Sequence, residues 1–205
     1  MKSEKTIAIF THLPKTAGTC LNYIISQQYP FNHLFNLKAK VDVMEAIERL
    51  TVMDKTHDLE IISGHTGFGI HQYLASPFNY ITLLRHPTER MISHYFYFWK
   101  RYSPNISLEK LCIIEQNLMT RYISGLEFEL LKKSGSRASL GRWKHKGKIE
   151  DFPQSTKETL ETAKQNLQKY KIVGLTERFP ETLVLFKREL QWKNLLYKKR
   201  TEVCT

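Results

Sequence analysis

Cysteine is scarce in this chain, and the three that occur lie far apart. Cys20, Cys112 and Cys204 form no C-x-x-C pair, which argues against a zinc site and a disulfide scaffold and leaves isolated buried thiols as the expectation. Eight histidines are scattered without H-E-x-x-H or a comparable ligand spacing, so no metal is expected. No apolar run approaches the roughly 20 residues of a membrane helix. The opening MKSEKTIAIF carries no long apolar segment of a secretory signal. A cytoplasmic protein without a transmembrane segment is therefore expected. Acidic side chains are also short in supply: 20 Asp and Glu stand against 31 Lys and Arg, a net charge of +11. Such an imbalance favours an anionic partner, whether nucleic acid, acidic polysaccharide, membrane surface or phosphorylated cofactor, without choosing among them.

What is present belongs to a globular protein. Hydrophobic residues make up 41% and aromatic residues 12% of the chain, which disordered segments do not reach. The 205 residues show no internal repeat and no second domain, and suit one α/β domain. Its one insertion is a basic segment at about 131–149, where Lys132, Lys133, Arg137, Arg142, Lys144, Lys146 and Lys148 stand without an Asp or Glu between them. The segment "KSGSRASLGRWKHKGK" also carries Ser and Gly at loop frequency, so a solvated loop and a contact for a polyanion are equally open readings.

Along the chain, strands and helices alternate. TIAIFTHL at 6–13 is a short β-rich run closed by Pro14. Leu21, Ile24, Ile25 and Tyr29 then recur at helical spacing until Pro30. A helix is predicted over 42–53, a strand over 59–64 and another over 80–85, with Pro87 suited to the first turn of the next helix. That helix runs to about Tyr102, with Met91, Tyr95, Phe98 and Tyr102 on one face beside Ile92, Phe96 and Trp99, a stripe read as packing. Further helices are predicted over 107–124, from a Ser155–Glu158 capping box to Tyr170, and over about 180–191, with a fourth strand at 171–177. Alternation of this kind implies a parallel sheet covered on both faces, with its ligand site beyond the carboxyl ends of the strands.

Three motifs fall at that edge. "FTHLPKTAGTCLNYII", residues 10–25, joins a strand end, an Ala-Gly pair and a helix start, but its Lys15 precedes the only glycine, Gly18. The loop is therefore not G-x-x-x-x-G-K-[ST]. Backbone N–H groups and a helix dipole would still attract an anion there. Lys15 would add a compact positive charge, and Thr16, Thr19 or the loop amides would fill the remaining lone pairs. The plain alternative is an ordinary strand-to-helix turn with a solvated lysine. In the third motif Arg85 ends a strand and Ser93 lies two helical turns onward; a guanidinium fork and a hydroxyl can embrace a phosphate. Its plain alternative is an ion pair with Glu89. Two anion sites on adjacent strands suggest a bisphosphorylated nucleotide. Between them His65 follows a strand among flexible glycines, placed to take a proton near neutral pH. His12, beside the first loop, reads as strand-end packing.

"HLPKTAGT" (12–19), "SGHTGFG" (63–69), "LLRHPTERMISHYFYF" (83–98), "NLMTRYISG" (117–125) and "VGLTERFPETLVLF" (173–186) together resemble the sulfotransferases related to heparan sulfate and chondroitin/dermatan sulfate uronosyl 2-O-sulfotransferases, especially their soluble bacterial relatives. The resemblance covers most of residues 6–190 in the expected order. It implies an α/β fold that is P-loop-like and three-layered, with a central parallel sheet flanked by helices, and 3′-phosphoadenosine 5′-phosphosulfate as sulfuryl donor. Carried over by motif, Lys15 and the Thr16–Ala17–Gly18–Thr19 backbone, with Cys20 following, hold the 5′-phosphosulfate. Arg85 and Ser93 hold the 3′-phosphate, His65 is the base, and Lys15 stabilises the leaving phosphate. The implied acceptor is a hydroxyl, read as that of a carbohydrate, and no nucleic acid or metal is expected. In this sequence Cys20 replaces a serine common after the family's Gly-Thr, and His86 stands where aspartate is frequent. The chain also ends at Thr205, soon after the last recognised helix, which reads as a shortened C-terminus. Two other readings compete: a nucleotide-dependent kinase-like enzyme, which lacks its P-loop lysine and an evident Walker-B aspartate, and a non-catalytic basic module binding polysaccharide or nucleic acid.

Overall fold

The computed structural model describes residues 6–37, 43–101, 107–134, 154–193 and 195, with the side chains of 98–101 and 134 outside that description. Five strands, β1 (Ile7–Thr11), β2 (Leu34–Leu37), β3 (Ile61–Gly64), β4 (Phe78–Leu84) and β5 (Tyr170–Leu175), form one sheet. Its order is β2-β3-β1-β4-β5, and every pairing is parallel. The four predicted strands are all there. The sequence reading missed β2, a four-residue edge strand whose run LFNL is too short to declare a period.

β1 is buried at all five positions, as a central parallel strand must be. Its alternate side chains go to opposite faces. Ile7 and Ile9 join one apolar cluster with residues of α2 (Val43–Lys55), α5 (Leu118–Ser124), α6 (Leu126–Ser134) and α7 (Lys157–Leu167). Ala8 and Phe10 join another with α1 (Gly18–Gln28) and α8 (Phe179–Leu190). The result is a three-layer α/β fold. α1 buries Leu21, Ile24 and Ile25 on one face and stops at Tyr29, whose extended backbone precedes Pro30.

Three local expectations need correction. The helix predicted over 107–124 is two, α4 (Leu108–Ile114) and α5, because Asn117 takes a left-handed conformation at φ 50° and turns the chain. The capping box of α7 is one residue later than predicted: Thr156 Oγ1 accepts from the Thr159 N–H at 3.1 Å and Thr159 Oγ1 accepts from the Thr156 N–H at 3.2 Å. The basic segment begins within a helix, since α6 carries Lys132 and Lys133 in its last turn; its remainder, 135–148, lies outside the described residues, as does the chain after 195.

The aromatic stripe on α3 (Pro87–Arg101) also reads differently in three dimensions. Ile92 and Phe96 are exposed, while Arg90 and His94 are buried at 3% each. Phe98 and Trp99 side chains and Tyr102 lie outside the described residues. An i, i+4 polar pair faces inward here because it meets a buried carboxylate, Glu115, just past α4. His94 Nδ1 lies 3.0 Å and Arg90 Nη1 3.5 Å from Glu115 Oε2.

Candidate anion and proton-transfer site

The sheet order places β1 between β3 and β4, so the loops leaving these strands are neighbours at the carboxyl edge. That is where open α/β sheets bind ligands, and it holds all three predicted motifs. Arg85, just past β4, donates from Nη1 to the Lys15 carbonyl at 3.2 Å, joining the first motif to the third. The plain alternative for Arg85, an ion pair with Glu89, is also present but long, at 3.9 Å. Burial and then the Arg85 charge push the Lys15 ammonium below its ordinary value. The Lys15 ammonium rests 4.4 Å from the Tyr97 ring centroid, a cation–π contact. Sequence reasoning missed Tyr97 because it falls beside, not on, the stripe it followed.

The loop itself is not strained at its glycine. Lys15 and Ala17 take left-handed conformations, φ 68° and 60°, at a cost of order 1–3 kcal/mol each. Gly18 opens α1 instead, and a Cβ there would lie 2.0 Å from His12 Cδ2 and 2.2 Å from His12 Nε2. Glycine is needed for the close approach of the imidazole. Gly18→Ala should therefore lower stability by about 1–3 kcal/mol through overpacking, read as a lower urea midpoint at unchanged slope. An unchanged midpoint would show that the ring yields freely.

Thr16 is buried and donates its hydroxyl hydrogen to the Leu13 carbonyl at 2.9 Å. Thr19 is exposed on the first turn of α1, whose start has neither a side-chain cap nor an acidic residue. An uncapped, uncompensated N-terminus keeps its dipole available to a negative charge. Cys20 is buried in α1. Cys112 is free but exposed, and Cys204 lies outside the described residues. Ser93 is half-buried on α3.

His65 is half-buried. Its loop is held, not flexible: the Phe68 N–H donates to the Tyr122 carbonyl at 2.8 Å, and Gly67 takes φ 75° where a Cβ would lie 2.9 Å from that same carbonyl oxygen. His65 Nδ1 lies 2.7 Å from the His12 carbonyl oxygen. A carbonyl only accepts, so Nδ1 carries the proton and the neutral ring keeps its lone pair on Nε2. Burial lowers the His65 pKa, opposed by the His12 carbonyl and assisted by His94. The ring is therefore uncharged and basic at neutral pH. It stacks on His12 with centroids 4.1 Å apart, so His12 is more than the strand-end packing its sequence suggests.

Among the described residues, no group of three or more His, Cys, Asp or Glu is placed to hold a metal ion, and no helix is long and apolar enough to cross a membrane. The chain matches no protein-family model and no curated protein.

Proposed function

We propose that the protein transfers a sulfuryl group from 3′-phosphoadenosine 5′-phosphosulfate to a hydroxyl of an acceptor, which we read as a carbohydrate, on a P-loop-like fold. The observation that carries this reading is the pairing of a cationic cradle with an oriented neutral imidazole: Arg85 on the Lys15 carbonyl at one side, His65 Nδ1–H on the His12 carbonyl at the other. Two cations brought together, with Lys15 partly desolvated, suit an anion that compensates both. A bisphosphorylated donor fits that demand.

Lys15 and the backbone of Thr16–Thr19 would hold the 5′ end of this donor, and Arg85 with Ser93 its 3′-phosphate, as the five motifs imply. When bound, the donor supplies the sulfuryl group. His65 Nε2 accepts the proton of the attacking hydroxyl. The His12 carbonyl holds the opposite ring nitrogen and so fixes which nitrogen faces the proton. Lys15 and the α1 N-terminus stabilise the negative charge that grows on the leaving phosphate. Neither step requires a metal bridging β- and γ-phosphates, so the lysine need not stand where a P-loop places it.

Titration calorimetry with 3′-phosphoadenosine 5′-phosphate, ATP and a plain polyanion tests the reading. The bisphosphate should bind more tightly than ATP, and Lys15→Ala or Arg85→Ala should weaken it by about tenfold or more, the loss of one charge-assisted contact. Absence of bisphosphate binding by the unaltered protein would overturn the assignment, and binding of the polyanion alone would favour the non-catalytic module.

A further inference from the structure

His12 and Asn22 transfer nothing in the reaction above, yet three elements converge on them. The β1–β3 ladder ends at the pair Thr11 and Gly64, and the next N–H, that of His12, still reaches the Gly64 carbonyl at 3.0 Å. The carbonyl of His12, which a longer ladder would use, is taken instead by His65. The His12 ring stacks with Phe10, 5.5 Å away and nearly parallel at 11°, and with His65 at 4.1 Å. From α1, Asn22 Nδ2 lies 3.1 Å from His12 Nδ1. From β3, the Ser63 hydroxyl donates to Asn22 Oδ1 at 2.5 Å.

These contacts fix the proton positions. The Asn22 amide is oriented with its oxygen accepting from the Ser63 hydroxyl and its NH₂, which can only donate, facing His12. His12 Nδ1 is then an acceptor, and the proton of the neutral ring sits on Nε2. The stacked rings hold opposite tautomers, His12 on Nε2 and His65 on Nδ1.

We propose that Asn22, acting through His12, is a positioning residue for His65: it holds His12 uncharged and in register, so that the base keeps both its carbonyl anchor and a neutral ring on its face. The proposal rests on the sulfuryl-transfer reading only for the use made of the proton that His65 accepts. A proton can reach His12 Nδ1 only by displacing the Asn22 amide. Lys15, from the loop after β1, and His94, from α3, are the other titratable groups that act on this pair, and both oppose positive charge on it, as burial does. With His12 neutral, the imidazolium formed on His65 meets a π face, a favourable contact. With His12 charged, it would meet a like charge.

Asn22→Asp tests this while preserving shape. The new carboxylate accepts from Ser63 and from a protonated His12 Nδ1, so it favours the charged ring. Titrations of the histidine ring signals by NMR should show His12 moving to higher pH than in the unaltered protein and His65 to lower pH, by about one unit or more. Turnover should fall about tenfold or more at neutral pH, with bisphosphate affinity unchanged. A His65 titration that does not move would overturn the proposal. If Asn22→Asp fails to fold, the ¹⁵N signals of the unaltered protein decide: a proton on His12 Nδ1 overturns the proposal, and one on Nε2 with His65 protonated on Nδ1 supports it. Failure of the unaltered protein to bind the bisphosphate sinks the sulfuryl-transfer reading instead and leaves the ring titrations to judge Asn22.

Discussion

Replacing His65 by Ala should lower the proposed sulfuryl transfer by about 10²- to 10⁴-fold, the usual contribution of a positioned general base, while leaving affinity for 3′-phosphoadenosine 5′-phosphate within about twofold, since the ring is not part of the proposed cradle. The separation follows from geometry. Lys15 and Arg85 are joined to each other through the Lys15 carbonyl, whereas His65 is tied to the His12 carbonyl and the His12 ring. The pH dependence carries a sign. Burial pushes the His65 pKa below the ordinary imidazole value of 6.5, and the base works only when unprotonated. The rate should therefore rise through an acid limb lying below pH 6.5 and be level near neutrality. In His65→Gln, which keeps a polar side chain but cannot titrate there, that limb should vanish along with the rate. Full turnover in either variant would remove His65 as the base.

Much of this architecture is legible in the sequence, and the parts that are not share physical causes. Strands such as IAIFT and helices such as Gly18–Gln28 declare themselves because burial imposes a period on apolar residues. From the alternation follow the parallel sheet and the edge where Lys15, His65 and Arg85 meet. β2 escaped because four residues carry too little period. The break at Asn117 escaped because a single left-handed residue leaves no trace in hydrophobicity. In the candidate site, the motifs name the residues but not how each is used. Gly18 reads in the sequence as half of an Ala-Gly turn, yet it stands where any Cβ would collide with the His12 imidazole. Thr16 looked like a ligand hydroxyl, yet its hydrogen goes to Leu13. His12 and Asn22 are invisible as a pair because ten residues and a turn separate them, and only the fold supplies the 3.1 Å contact.

The same blindness applies to the interior of α3, and it yields the largest expected effect on stability. Glu115→Ala should destabilise the protein by about 3–5 kcal/mol, the cost of leaving a buried charge without its partner. That is a large part of the roughly 5–15 kcal/mol that holds a domain folded. The carboxylate is 2% exposed and lies against His94 and Arg90, which are equally enclosed. Burial pushes the Glu115 carboxyl up, but His94, Arg90 and Arg121 together outweigh it and hold it below the ordinary value of 4.5. Its contribution is therefore present above pH 4.5 and is lost as pH falls through the lowered folded value, so acid should reproduce part of the effect of the substitution. Calorimetric melting should show a drop of about 6–20 °C for a domain of this size. Arg121 and Glu127, 2.7 Å apart and buried close by, should keep α5 and α6 paired in the variant. The decisive comparison is Arg90→Leu combined with Glu115→Leu. Removing both charges while retaining bulk spares the desolvation penalty of each, so the double variant should melt well above Glu115→Ala. If it melts lower than Glu115→Ala, the ion pair stabilises by its own attraction and not by the mutual need of two buried charges.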